Sequence, residues 1–273
     1  MTIAFFKMEA LGNDYIFIDA VGGPHTVEQP GVLARRWSDR HFGIGGDGLI
    51  VMAPSACADV RMRMWNADGS EGAMCGNGLR SLAVLAFERG HAGIEQTIET
   101  PVGVRRARIR LQGDRAVGAE VEIGEVRIDP QPRSIRLAGL DQEITCWLGD
   151  AGNPHAVVLL DTDPESYPVA EVGAAMQDHP AFAGGVNVEF VCVRTDGGLQ
   201  QRTFERGSGE TMACGSGAAT AALVAIEQAL VPGPRVAVHL RGGVLEVWRD
   251  GLTLVIGGPA RTVFRGEIDL PDV

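Results

Sequence analysis

The chain has 273 residues, enough for about two domains of ordinary size that bury their own cores without disulfide or metal staples. Hydrophobic residues make up 45 % and charged residues 22 % of it, which excludes a disordered or coiled-coil protein. A net charge of −11 repels phosphate backbones and anionic lipid surfaces, so neither nucleic acid nor membrane is an expected partner.

In chain order, Ile3 to Phe6 reads as the first strand and Tyr15 to Ile18 as the second. Lys7, the one lysine beside 23 arginines, follows in what reads as an edge strand with no glycine-rich phosphate loop nearby. A pyridoxal Schiff base is therefore not expected. Met1 to Met8 shows no apolar run ending in a small-residue cleavage site, so no export signal is expected and a reducing cytoplasm follows. After the glycine-rich turn Gly43 to Gly48 comes a strand, Val60 to Trp65, a polar turn, and a helix, Leu79 to Phe87. Ile94 to Ile98 and Val104 to Leu111 read as further strands, and Gly124 to Gln142, with Pro130 and Pro132, as the crossing to a second half. There the order recurs: strands Ala156 to Leu160, Val188 to Val193 and Gln200 to Phe204, a helix Ala218 to Ile226, then strands Val236 to Leu240 and Leu252 to Ile256. Both helices carry small or apolar residues on nearly every side, the pattern of a helix buried all round. The most apolar stretch, Ala218 to Val231, is interrupted by Glu227 and Gln228 and is too short for the roughly twenty residues a bilayer needs.

The recurrence extends to landmarks. Cys75-Gly76-Asn77-Gly78 and Cys214-Gly215-Ser216-Gly217 each have a glutamate four residues before the cysteine, Glu71 and Glu210. Asn13 precedes Cys75 by 62 residues and Asn153 precedes Cys214 by 61, while Gly48 and Asn187 each lie 27 before their cysteine. Three landmarks in matched order point to internal duplication. The expected fold is α/β (α+β): two pseudo-symmetric domains, each a sheet wrapped around a central buried helix. The first covers residues 1–122 with 259–273 and carries Cys75; the second covers 123–258 and carries Cys214.

A cysteine that opens a helix meets backbone N–H groups with no intrahelical partner and the positive end of the macrodipole, which favours thiolate. A ligand carboxylate held by the amides of Gly76, Asn77, Gly215 and Ser216 would place its α-carbon between Cys75 and Cys214. One thiolate could then remove a proton from one face while the other thiol delivers a proton to the opposite face, inverting the stereocentre without metal or organic cofactor. For Cys57, Cys146 and Cys192 burial in the core suffices. A zinc site would need several Cys or His at short spacing, and neither Cys75 nor Cys214 has a second one within five residues, so no metal is expected. A redox dithiol protein is the reading from another class; it explains the cysteines but not their flanks.

Taken together, Leu11-Gly12-Asn13-Asp14, Asn66-Ala67-Asp68-Gly69-Ser70-Glu71, Cys75-Gly76-Asn77-Gly78, Gly152-Asn153-Pro154-His155, Glu205-Arg206-Gly207 and Cys214-Gly215-Ser216-Gly217 resemble diaminopimelate epimerase across the whole chain. The resemblance implies a cofactor-independent isomerase that interconverts LL- and meso-2,6-diaminopimelate on the route to lysine and peptidoglycan, with Cys75 and Cys214 catalytic. It further implies that Asn13, Asn66, Asn153, Asn187, Glu205 and Arg206 bind substrate, with Gly76-Asn77 and Gly215-Ser216 as amide pairs, and that His155 and Glu205 tune the cysteines. Arg206 suits a second, distant carboxylate, which it can hold bidentately. That favours diaminopimelate over the racemases of other amino acids, of histidine or hydroxyproline type, that would use the same cysteine pair. Glu9-Ala10 replaces the common His-Gly, Gly48 stands at the substrate-binding position where some members have a glutamine, and Phe264 falls where the family often has a tyrosine at a homodimer contact.

Overall fold

The computed structural model describes residues 2–22, 27–137, 140 and 142–269. It divides into two compact units, Met1–Glu122 with Gly257–Val273, and Ile123–Ile256. Up to the boundary the elements are β1 (Thr2–Ala10), β2 (Asn13–Asp19), α1 (Pro30–Trp37), β3 (Gly48–Ala53), β4 (Val60–Asn66), β5 (Glu71–Gly72), α2 (Gly76–Glu88), β6 (Glu95–Thr100), β7 (Gly103–Gln112) and β8 (Arg115–Gly124). There follow β9 (Arg127–Ile128), β10 (Arg133–Leu137), β11 (Gln142–Asp150), β12 (Pro154–Leu159), α3 (Val169–Gln177), β13 (Asn187–Val193), β14 (Leu199–Glu205), β15 (Gly209–Thr211), α4 (Gly215–Glu227), β16 (Arg235–Leu240), β17 (Gly243–Asp250), β18 (Thr253–Pro259) and β19 (Arg261–Asp269).

The pairing repeats. In the first unit β2 runs parallel to β3, β3 antiparallel to β4, β4 antiparallel to the short β5 and parallel to β6, and β6 antiparallel to β7. In the second, β12, β13, β14, β15, β16 and β17 pair in the same order and the same senses. In each unit the helix follows the short strand and lies inside. Asn77 through Ala86 of α2 are all buried, as are Gly217 through Ala225 of α4. In α4 the small side chains Ala218, Ala219, Ala221, Ala222 and Ala225 face every direction and let strands approach the helix from all sides.

Three readings of the sequence need correction. Lys7 is not on an edge: β1 pairs with β19 on one side and β2 on the other, opposite Phe264 and Ile16. Gly124 to Gln142 is not a bare crossing. It carries β9 and β10 within the second unit, Pro130 and Pro132 fall in the turn between them, and Ile135 and Leu137 bury in that unit's core. Of the three remaining cysteines only Cys146 is buried, which pushes its thiol up to about 11; Cys192 is half-buried and Cys57 exposed in the turn before β4. The short helices α1 and α3 escape a periodicity reading, although Pro30 at the start of α1 marks a helix N-terminus and Leu33, Ala34 and Trp37 bury its inner face. Among the described residues no helix is long and apolar enough to cross a membrane.

Candidate active site

In the first unit β1 and β2 are joined by Leu11 and Gly12, both at positive φ (57° and 81°), a two-residue turn whose twist suits a hairpin. Leucine is strained there, and its burial holds it in place. The turn sets Asn13 at the start of β2. Its Nδ2 donates to Asp47 Oδ2 at 2.6 Å, which leaves Oδ1 to accept from Cys75 Sγ at 3.4 Å. Behind it, Arg40 bridges Asp14 (2.7 Å) and Asp47 (3.0 Å), and Lys7 Nζ lies 2.6 Å from Asp14. Burial works to raise Asp14, but bonds from Arg40 and Lys7 outweigh it and hold that carboxyl below its ordinary value. Asp47 goes the other way, raised by burial and by the Asp14 charge against bonds from the Asp14 amide and Asn13.

Across the sheet Tyr15 faces Gly48, and Gly48 faces Asn66. Gly48 presents no side chain, and a Cβ there would sit 2.2 Å from the Trp65 carbonyl oxygen, so this chain cannot offer a longer residue without moving β4. Asn66 is exposed and donates to Ser70 Oγ at 3.0 Å. Cys75 is the N-cap of α2 with extended backbone, half-buried, and its carbonyl accepts the Leu79 amide at 2.8 Å. Burial and the Cys75 sulfur together push the Tyr15 phenol well above its ordinary value.

The second unit builds the same row with different chemistry. His155 faces Asn187 across β12 and β13. One step beyond the Val188–Phe204 pair lies Glu205. Asn187 donates to the Pro154 carbonyl (3.0 Å) and accepts the Arg206 backbone amide (3.0 Å), so a buried amide orients the residue after the strand. The Arg206 side chain is exposed, with Nη1 3.3 Å from the Gly184 carbonyl. His155 is buried; its Nδ1 lies 2.9 Å from Glu189 Oε1 and its Nε2 3.0 Å from Asn153 Oδ1. Glu205 accepts from Thr211 Oγ1, and burial raises its carboxyl above the ordinary value.

Cys214, N-cap of α4, is buried; its Sγ accepts the Gly217 amide at 3.4 Å and lies 3.5 Å from Ser216 Oγ. The helix start favours thiolate here, but the surroundings of Cys214 work against it. Burial, then Glu205, then Glu189 push the Cys214 thiol well above its ordinary value, and the bonds from Ser216 and Gly217 do not offset them. Within the first unit Asn13, Gly48, Asn66, Cys75, Gly76 and Asn77 thus share one strand row and the helix start beside it. Asn153, His155, Asn187, Glu205, Arg206, Cys214, Gly215 and Ser216 do so within the second. Sequence reasoning missed Tyr15, Asp47 and Glu189. For Glu189 the available signal is a lone charge inside the apolar run Val188 to Val193.

The model of the diaminopimelate epimerase family matches residues 5–128 and 148–263. Diaminopimelate epimerases from Moorella thermoacetica and Acetivibrio thermocellus are 41 % and 38 % identical to this chain, covering 97 % and 98 % of it and 99 % of their own lengths. The epimerase from Methanococcus maripaludis is 37 % identical over 97 % of this chain and 99 % of its own. Among solved structures, a phenazine biosynthesis protein of the PhzF family from Bacillus anthracis superposes with a TM-score of 0.76 at 19 % identity, over 99 % of this chain and all of that one. A hydroxyproline epimerase from Agrobacterium vitis gives 0.76 at 16 %, over 99 % of this chain and 93 % of that one. These two likenesses concern the fold. The full-length similarity to the epimerases goes further: the chain belongs to the diaminopimelate epimerase family.

Proposed function

We propose that this protein interconverts LL- and meso-2,6-diaminopimelate by a two-base mechanism on the way to lysine and peptidoglycan precursors. The observation that carries the reading is the pair of helix N-caps: in a chain of this family, each half of the duplication ends its strand row at a cysteine that opens a buried helix. Inversion at a carbon needs a base on one face and an acid on the other. Cys75 and Cys214 supply them; the thiolate takes the α-proton, the carbanion collapses onto the proton of the other thiol, and the two sulfurs exchange protonation states in each turnover. The amide pairs Gly76-Asn77 and Gly215-Ser216 hold the reacting carboxylate, because first-turn N–H groups lack intrahelical acceptors. Asn13, Asn66, Asn153 and Asn187 orient the two amino-acid heads, Glu205 accepts from an ammonium, and His155 and Glu205 tune the cysteines. Arg206, exposed at the end of β14, takes the distant carboxylate. We further propose a homodimer in the cytoplasm, with Phe264 at its contact.

The test is LL-diaminopimelate incubated with the protein in deuterated water, followed by chiral analysis. Meso product carrying deuterium at the inverted carbon is expected. Cys75→Ala and Cys214→Ala should each reduce epimerisation by about a hundredfold or more. A variant keeping about a tenth of wild-type turnover would refute the two-base assignment.

A further inference from the structure

The two halves hold their equivalent asparagines differently. Asn13 and Asn153 each follow a glycine, Gly12 and Gly152, but Asn13 is followed by Asp14 and Asn153 by Pro154, which has no amide N–H. Asp47 and Val186 each lie 28 residues before their cysteine, and Val186 is buried in the apolar core of its unit. The first half therefore carries two carboxylates beside its asparagine, where the second has a proline and a valine.

Asp47 is tied at every polar group. Its Oδ2 accepts from Asn13 Nδ2 at 2.6 Å and from the Asp14 amide at 2.9 Å, and its Oδ1 accepts from Arg40 Nη2 at 3.0 Å. Its own amide donates to the Asp14 carbonyl at 2.7 Å, and its carbonyl accepts the amide of Ala67, the residue after Asn66, at 3.1 Å. Arg40 also donates to both oxygens of Asp14 (2.7 and 3.1 Å), and the buried Lys7 pairs with Asp14 at 2.6 Å while donating to the Gly45 carbonyl. A Cβ on Gly46 would sit 2.7 Å from Lys7 Nζ, so the glycine-rich turn closes directly on that ammonium. Two cations and two carboxylates thus bind the turn before β3 to the strand that carries Asn13.

The consequence falls on Asn13. A carboxamide has one donating end and one accepting end. Asp47 Oδ2, which already accepts the Asp14 amide, meets the donating end; turned over, the carboxamide would press its oxygen against the carboxylate. Oδ1 is thereby fixed toward Cys75 Sγ, 3.4 Å away. Asn153 instead meets a ring nitrogen, with its Oδ1 3.0 Å from His155 Nε2.

We propose that Asp47 is a positioning residue that keeps the carbonyl oxygen of Asn13, and not its NH2 group, at the helix start carrying Cys75. An acceptor there suits the ammonium on the reacting carbon and repels a carboxylate, which leaves the carboxylate to the amides of Gly76 and Asn77. Asp47 thus fixes which way round the amino-acid head enters the first half. The assignment rests on the epimerase reading, and one arm of its test uses no substrate.

The kinetic arm is a double-mutant cycle on LL-diaminopimelate with Asp47→Ala, Asn13→Ala and the two combined. Asp47→Ala should lower kcat by about tenfold or more, because the acceptor beside the reacting carbon is then free to turn. Asp47→Asn, which can keep an oxygen toward Asn13 and the Asp14 amide, should stay within about threefold of wild type. In the Asn13→Ala background, Asp47→Ala should change kcat by less than about twofold. A residue that only supports the fold would lower kcat in both backgrounds, and equal losses would overturn the proposal. The arm without substrate follows the Asn13 side-chain amide in proton–nitrogen NMR spectra, identified by its loss in Asn13→Ala. Its protons should exchange with water about tenfold more slowly in wild type than in Asp47→Ala, with Asp47→Asn close to wild type. An active wild type whose exchange rate Asp47→Ala leaves unchanged would overturn this proposal alone. If Asp47→Ala does not fold, wild type decides: Asn13 Nδ2 protons that exchange as fast as those of the exposed Asn66 would overturn it. Slow exchange lost in Asp47→Ala, in a protein inactive on diaminopimelate, would remove the epimerase reading and uphold the hold of Asp47 on Asn13.

Discussion

Arg206 illustrates how a surface side chain is aimed by a buried one. Its backbone amide is anchored to Asn187 Oδ1, so the direction in which the guanidinium leaves β14 is set by a residue on the neighbouring strand. Arg206→Met would leave both thiols and both amide pairs in place and deprive the distant carboxylate of its cation. Once bound substrate has buried that pair, losing one member costs about 2 to 5 kcal/mol, roughly thirtyfold or more in kcat/KM. Most of the loss should fall on KM, because that carboxylate lies far from the reacting carbon, with a part on kcat if remote binding energy positions the carbon. Steady-state kinetics indistinguishable from wild type would move the histidine or hydroxyproline type of substrate ahead of diaminopimelate.

At the level of elements, Asp19 ties the end of β2 to the chain that leaves α2. Its carboxylate accepts from Arg89 Nε and pairs with His91 Nε2, both at 2.9 Å, and takes the amides of Val21 (3.1 Å) and Gly22 (3.2 Å). Burial acts to raise its pKa, but the bonds from His91, Arg89 and Gly22 outweigh it and hold it below the ordinary carboxylate value. The ionised form is therefore favoured by folding. Its contribution is present above the unfolded-state pKa and is lost as pH falls through the folded one. Asp19→Asn should cost about 1 to 3 kcal/mol at neutral pH, and the difference from wild type should shrink as pH drops below about 4. Urea unfolding of both proteins at pH 7 and pH 3 measures this; an equal difference at both would show that the charge contributes nothing.

On the scale of the whole molecule, β19 offers a surface suited to self-association. β19 pairs with β1, but the register slips between Lys7 and Met8, leaving Val263 as the extra residue of a bulge. Val263 and Phe264 are 53 % and 46 % exposed, and Phe264 rests edge-on against Phe5 with ring centroids 6.0 Å apart. Two adjacent apolar side chains at a bulge make a small apolar patch, the kind of surface that self-association would cover. Phe264→Asp should turn a dimer into a monomer in sedimentation velocity while leaving the far-UV spectrum unchanged. A wild-type monomer, or a variant that sediments as the wild-type dimer does, would rule Phe264 out as the contact.

Much of this was legible in the chain alone. Matched distances from Asn13 and Asn153, and from Gly48 and Asn187, to their cysteines show the duplication, because a repeated fold keeps its spacing after side chains diverge. The all-round apolar pattern of Leu79 to Phe87 and Ala218 to Ile226 marks buried helices, because a helix with no polar face has no side to turn to water. Tertiary structure decided what local pattern does not encode. Lys7 reads as part of an edge strand from its neighbours in sequence, yet β19, far along the chain, pairs with β1 on the side that β2 leaves open. Pro130 and Pro132 read as a linker, yet Ile135 and Leu137 just beyond them find a core only when β10 pairs with β11. The two Cys-Gly-x-Gly motifs are alike in sequence and predict alike thiols. Folding gives them different surroundings: Cys75 Sγ meets Asn13 Oδ1, whereas Cys214 is buried beside Glu205 and Glu189, because the field at a sulfur is set by the groups that the fold brings around it.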